Sequence, residues 1–187
     1  MEKGKLYIIS GPSGAGKGTV IKELFKQRDG LFLSVSATTR AARQGEADGV
    51  HYYFITKDEF RQMIIKNELL EYTEFCENYY GTPKKSVEEK LNAGVDVILE
   101  IETDGAMQIK GKMPECVLIF ISPPSMEELE KRLVGRQTET NESLNKRLKK
   151  AKKEIELTDK YHYIVINDEV DKTVKALIEI FNKKGRR

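Results

Sequence analysis

The eight residues Gly11-Pro-Ser-Gly-Ala-Gly-Lys-Gly18 admit few folds. They follow the apolar run Leu6-Tyr-Ile-Ile9 and lead into the helical pattern Thr19-Val-Ile-Lys-Glu-Leu-Phe25. Glycines directly after a strand let the backbone turn sharply and aim several N–H groups at one point. The helix behind them adds the positive end of its dipole. Lys17 supplies a mobile charge for the outer phosphates of a bound polyphosphate. The pattern G-x-x-x-x-G-K is complete, but the usual Ser or Thr after the lysine is Gly18, with Thr19 one place on. That removes the ordinary hydroxyl ligand for magnesium. A phosphate cradle made from Gly11, Pro12, Ser13, Gly14, Ala15, Gly16, Lys17, Gly18 and Thr19 belongs at the carboxyl end of a strand in an α/β sheet.

The rest of the chain supplies such a sheet. Short β-rich runs recur at Leu6 to Ile9, Leu31 to Val35, Val95 to Ile101, Val117 to Ile121 and Tyr163 to Ile166. Most are continuously apolar, as strands covered on both faces by helices should be, so a parallel sheet is expected. Between Ala37 and Pro83 polar turns, arginines and alternating aromatics indicate a small inserted lobe instead of another crossover. Within it His51 to Ile55 reads as a strand. Thr56-Lys-Asp-Glu59 reads as a capping box opening a helix through Lys66, Leu69 to Phe75 as a strand, and Asn78-Tyr-Tyr-Gly-Thr82 as a turn. A helix from Lys84 to Asn92 should stop at Ala93-Gly94. Ser125-Met-Glu-Glu128 is a second capping box, opening a helix to Val134. After the polar break from Gly135 to Asn141, Leu144, Leu148, Ala151 and Ile155 recur at helical spacing, so a hinged helical pair is implied. A last helix is expected from Asp171 to Phe181.

Composition narrows the partners. At 187 residues the chain suits one compact unit, and a formal net charge of +2 makes no case for nucleic acid or an anionic membrane. No apolar run approaches the roughly 18 residues that span a bilayer. The opening Met-Glu-Lys-Gly-Lys lacks the apolar core of a signal peptide, so a cytoplasmic protein is expected. Cys76 and Cys116 show neither metal spacing nor a disulfide framework and read as free thiols.

Three clusters carry chemistry. Arg40, with Arg43 three residues on, follows Ser36-Ala-Thr-Thr, and two guanidinium groups there can fork onto a phosphate or simply face solvent. Coming after an independent phosphate loop, the first reading is favoured. Glu100 and Glu102 flank Ile101 at the end of an expected buried strand, so both should point to one side. Their charge asks for cations such as Lys17 or a nucleotide-bound magnesium. Arg132, Arg136 and Arg147 lie in the helical pair, where Arg136 and Arg147 stand out as mobile charge donors among solvated lysines. Tyr52, Glu71, Tyr80 and Thr82 fall in the inserted lobe, and the residues by themselves assign them no role.

Taken in order, these blocks resemble the guanylate kinases over essentially the whole chain. The resemblance is carried by Gly11 to Lys17, Ser34-Val-Ser-Ala-Thr-Thr-Arg40, Asn78 to Thr82, Gly94 to Glu102, Pro123-Pro-Ser-Met-Glu-Glu-Leu129 and Ile166-Asn-Asp168. It implies a three-layer P-loop NTPase-type parallel sheet with an inserted α+β GMP-binding lobe and a helical lid. The core would be about 1–36, 84–134 and 158–187, the lobe about 37–83 and the lid about 135–157. It implies transfer of a phosphoryl group from ATP to GMP, and to dGMP, with magnesium as cofactor. Whether the chain acts alone or as a homo-oligomer stays open. By motif, Arg40, Arg43, Tyr52 and Tyr80 would hold the GMP phosphate, and Ser36, Glu71 and Thr82 would read the guanine, with Glu102 also on the GMP side. The loop from Gly11 to Thr19 would hold ATP, and Lys17, Arg40, Arg136 and Arg147 would act on the transferring group. The family pattern usually has Ser or Thr at Gly18, Asp at Glu100 and Glu102, Pro at Ala42 and Gly at Gln137. The metal would therefore be held mainly by nucleotide oxygens and water, with Glu100 or Glu102 helping through water. A catalytically silent relative of this fold, or a kinase for another acceptor, are the alternatives.

Overall fold

Every residue of β1 (Leu6–Ser10) is buried, as a strand must be when other strands flank both its edges and helices cover its faces. In the computed structural model, which describes residues 2–75, 77–134 and 141–184, β1 is the middle strand of the central parallel sheet. Its companions are β2 (Leu31–Leu33), β7 (Asp96–Glu100), β8 (Val117–Ser122) and β9 (Tyr163–Ile166), in the order β2-β7-β1-β8-β9. The chain thus crosses from β1 to the far edge and later returns to the other side of β1. Ligands in such sheets bind beyond the carboxyl end of the strand where the order reverses. By packing, the chain divides into two compact units, Met1–Tyr7 with Phe32–Cys116 and Ile8–Leu31 with Val117–Arg187.

In the first unit a four-stranded sheet has the order β4-β3-β6-β5, from β3 (Ala37–Thr38), β4 (Tyr53–Phe54), β5 (Leu69–Phe75) and β6 (Asn78–Pro83). Helix α2 (Lys57–Ile65) opens with the expected capping box. Thr56 Oγ1 accepts from the Glu59 N–H at 3.2 Å, and the Glu59 carboxylate accepts from the Thr56 N–H at 2.7 Å. One turn on, fully buried Phe60 stacks on Tyr79 and packs with Ala37 and Leu69. Helix α3 (Lys84–Asn92) stops where Gly94 turns at φ 78. Helix α4 (Thr103–Lys112), which the sequence reading did not single out, follows β7.

Three expectations in this unit need correction. Residues 78 to 82 form strand β6, paired antiparallel to both β5 and β3, and not a turn. The reversal lies just before it, where Phe75 faces Asn78 and Glu77 takes φ 62. Gly81 reads as a turn residue, yet its place is set by crowding: a Cβ there would come within 3.0 Å of Phe60 and 2.9 Å of the Glu71 carbonyl. The strand expected over 51 to 55 is only Tyr53–Phe54, because Gly49 and His51 belong to a turn bonded through Ala47 and Tyr52. That expected over 31 to 35 ends at Leu33.

The second unit contains α1 (Lys17–Gln27), α5 (Met126–Val134), α6 (Asn141–Glu156) and α7 (Val170–Lys184), with a 3-10 turn at Thr158–Lys160. β9 runs parallel to β8 from Tyr163 opposite Ile119 to Ile166 opposite Ser122. The apolar face read for α6 is real: Leu144, Leu148 and Ala151 pack on Leu129 and Leu133 of α5. At the second capping box, Ser125 Oγ accepts from the Glu128 N–H at 3.2 Å, and the Glu128 carboxylate also pairs with Arg132. Thr56→Ala, which removes the complete box in α2, should cost about 1 kcal/mol of unfolding free energy. A lower urea midpoint at unchanged slope would show it, and an unchanged midpoint would contradict it.

Candidate active site

The phosphate loop joins β1 to α1, and steric room decides its glycines. A Cβ on Gly11 (φ 147) would lie 2.1 Å from the Ile121 carbonyl oxygen, so no other residue can pass there. Gly16 is the N-cap of α1 in the left-handed region, at φ 89 and ψ 18. It offers no side chain to the orphan N–H groups of the first turn, which also carries no acidic residue. A helix N-terminus without a side-chain cap or an acid in its first turn suits an anion. Lys17 Nζ donates to the carbonyls of Gly11 at 2.6 Å and Pro12 at 3.1 Å, which fold the ammonium back over the loop. From α6, the Arg147 guanidinium donates to Ser13 Oγ at 2.6 Å. Gly18 and Thr19 are exposed on the first turn.

Underneath, Asn167 fixes the loop. It is 4 % exposed, and its Nδ2 donates to the Ala15 carbonyl at 2.7 Å while its Oδ1 accepts from Thr173 Oγ1 at 3.0 Å. Arg132 donates to its carbonyl at 3.1 Å and to Glu128 at 3.0 Å. A Cβ on Gly16 would come within 2.5 Å of the same Nδ2.

In the first unit, Arg40 makes a two-pronged ion pair with Glu46, both prongs at 2.9 Å, and a further bond to the Ala41 carbonyl at 2.7 Å. Its guanidinium lies over the rings of Tyr52 and Phe54, and Tyr52 meets Tyr80 edge-on at 6.1 Å. Arg43 gives Glu46 its backbone N–H at 2.7 Å. The Arg40 hydrogen bonds, followed by that N–H, bring the Glu46 carboxyl down to about 2. The same pairing raises the Arg40 pKa. Burial, aided by the charge of Glu100, raises that of the Tyr52 phenol.

Glu71 sits deeper, on β5, only 3 % exposed. Fully buried Thr82 donates its hydroxyl to Glu71 Oε1 at 2.6 Å. Burial pushes the Glu71 carboxyl pKa up, while the bonds from Thr82 and the charge of Lys112 pull it down. Ser36 is half-buried, its carbonyl taken by the Tyr53 N–H at 2.9 Å. Glu100 ends β7, but Glu102 lies beyond the strand as N-cap of α4. Strand alternation therefore does not extend to Glu102, contrary to the expected same-side pair. Arg136 lies outside the described residues, as does Cys76. Cys116 is a free, buried thiol, pushed by burial up to about 11. Among the described residues no three His, Cys, Asp or Glu side chains are grouped to hold a metal ion, and no helix is long and apolar enough to cross a membrane.

A family model described as guanylate kinase matches residues 3–184. The chain belongs to the guanylate kinase family. It is 54% identical to the guanylate kinase of Oceanobacillus iheyensis, over 100% of this chain and 92% of that one. Its identity with that of Clostridioides difficile is 50%, over 100% and 91%. Among solved structures, the guanylate kinase from Anaplasma phagocytophilum superposes with a TM-score of 0.83 at 33% identity, covering 100% of this chain and 88% of that one.

Two residues of this guanylate kinase family member make contacts that the sequence does not assign, Asn167 being named there only within the block Ile166-Asn-Asp168. Asn167 was visible only as a polar residue between a strand and a helix, where an ordinary cap reads the same. Glu46 is six residues from Arg40 in a loop with no period, so nothing in the spacing pairs them. The folded Glu46 pKa lies below its usual 4.5, so its ion pair contributes fully above that pH and is lost as pH falls toward 2. The difference in melting temperature between wild type and Glu46→Gln should hold constant near neutrality and close through that acid window. A pH-independent difference would contradict it.

Proposed function

We propose that the chain transfers the terminal phosphoryl group of ATP to GMP, giving ADP and GDP, with residues 37–83 as acceptor lobe and 135–157 as lid on a core formed by the remainder. The observation that carries the acceptor's identity is the buried Glu71–Thr82 pair. Guanine offers adjacent N1–H and 2-amino donors that one carboxylate can accept together, and their approach favours its ionised form. Adenine sets a lone pair at N1 against that carboxylate, and two facing acceptors in a desolvated site cost several powers of ten in selectivity. Thr82 and Ser36 complete the reading of the base, with Glu102 at its side. Arg40 and Arg43, with Tyr52 and Tyr80, take the acceptor phosphate.

On the donor side, backbone N–H groups of the loop between Ser13 and Thr19 cradle the phosphates, that of Ala15 being already donated to the Pro12 carbonyl, and Lys17 with Arg147 and Arg136 neutralises charge that spreads over the moving group. Phosphoryl transfer asks little covalent chemistry of a protein, so positioning and charge are the mechanism and no general base is assigned. The donor set suits a magnesium ion carried in on the triphosphate and still hydrated, since Gly18 provides no hydroxyl and the described residues form no cage. Glu100 or Glu102 would hold its waters, and when bound it supplies further neutralisation of phosphate charge. The proposal extends to dGMP as a second acceptor.

A coupled assay of ADP release with GMP, dGMP, AMP and no acceptor tests this reading. Turnover that needs no acceptor, or that prefers AMP, would overturn it. Lys17→Met should lower kcat by at least about a hundredfold while leaving the melting temperature unchanged. Parallel loss of stability and activity would argue for a structural lysine. Glu71→Ala should raise the KM for GMP, leave that for ATP unchanged, and narrow the GMP-to-AMP preference chiefly by harming GMP. Wild-type GMP kinetics in that variant would remove Glu71 from the site.

A further inference from the structure

We infer that helix α4 is the template that aims Glu71, through Gly105, Gln108 and Lys112, and so sets the base preference of the enzyme. The inference rests on Glu71 as the guanine acceptor.

β5 does not pair evenly. Leu69 faces Pro83 and Tyr72 faces Gly81, so Leu70 and Glu71 together oppose the single residue Thr82. Such an irregularity re-aims a side chain and takes backbone groups out of the ladder. β5 is also an edge strand, so its outer backbone groups have no neighbouring strand. α4 supplies the missing partners. The Gln108 side-chain amide donates Nε2 to the Tyr72 carbonyl at 2.9 Å and accepts the Tyr72 N–H on Oε1 at 3.3 Å, as a further strand would. Lys112 Nζ donates to the Leu70 carbonyl at 2.7 Å. Positions 105, 108 and 112 fall on one helix face. They meet three consecutive residues of β5.

The third meeting is steric. A Cβ on Gly105 would lie 2.5 Å from Glu71 Oε2 and 3.0 Å from its Cδ. The carboxylate is thus held between the Thr82 donor on Oε1 and the bare backbone of α4 beside Oε2. Burial raises the pKa of that carboxylate, and the Lys112 charge is among the influences that oppose the rise. Accepting two adjacent donors of one base demands a carboxylate set within about 0.5 Å of its place. The ladder with β6 is interrupted at Leu70 and Glu71, so at those two residues it does not fix the side chain's direction and α4 supplies the second constraint.

The test uses Gly105→Ala and Gln108→Leu in the full chain, beside Glu71→Ala. Alanine is the better helix former, so Gly105→Ala should not lower the melting temperature. It should nevertheless reduce the ratio of kcat/KM for GMP over AMP by about tenfold or more, with the KM for ATP unchanged. Gln108→Leu should shift the same ratio the same way. In a Glu71→Ala background neither change should lower GMP turnover further, because both act through that carboxylate. If Glu71→Ala loses GMP selectivity while Gly105→Ala and Gln108→Leu keep the wild-type ratio, the template role is overturned and the acceptor reading stands. Equal losses with and without Glu71 would overturn it too, by showing that α4 acts by another route. Wild-type GMP kinetics in Glu71→Ala would instead remove the acceptor reading itself, and the template role with it.

Discussion

The N–H groups at the head of α1 are what the second unit is arranged around. Gly16 leaves them uncapped and no acid follows in the first turn, a state that ordinarily weakens a helix. Neighbouring elements hold the loop. Gly11 lets β8 come against the loop, Asn167 and Thr173 hold it from β9 and α7, and Arg147 reaches it from α6. The loop is thus shaped by side chains and packing from around it, with no side-chain cap on the head of α1. Preorganised donors of this kind need no rearrangement when charge develops.

The first unit solves a different problem, a carboxylate in a dry place. Burial alone would favour the neutral form of Glu71. The Thr82 hydroxyl at 2.6 Å and the field of Lys112 favour the charged form. The tension between them suits a group whose remaining partners are to come from a ligand. Arg40 rests under the opposite arrangement, fully paired and laid over aromatic rings. Arg40 spends three donors on Glu46 and the Ala41 carbonyl, whereas Glu71 has one hydroxyl donor in Thr82.

What was legible in the sequence followed from local pattern. The apolar runs gave β1, β8 and β9 almost to the residue, and Thr56 with Glu59 gave the start of α2, because strand burial and capping are written in adjacent positions. The phosphate loop was legible for the same reason. β6 was misread because Tyr79, Tyr80 and Gly81 look like a turn unless Phe60 and β5 are known to press on them. Glu46, Asn167 and Gln108 were missed because each works across 6, 152 or 36 positions of chain, where no period connects the partners. The roles of Glu71 and Thr82 came only from the family resemblance. Their meeting depends on a bulge that no spacing rule reveals.

The Arg40–Glu46 pair means that the acceptor lobe carries its own counterion. A bare arginine would attract phosphate more strongly, but it would also have to be ordered at each encounter, and side-chain ordering costs about 0.5–1.5 kcal/mol per long residue. Here that ordering is completed when the chain folds, by the bonds to Glu46 and the Ala41 carbonyl. The consequence is kinetic. On the proposed function, a fork that is already neutralised would hold a phosphate less tenaciously, and product would meet a lower barrier to leaving.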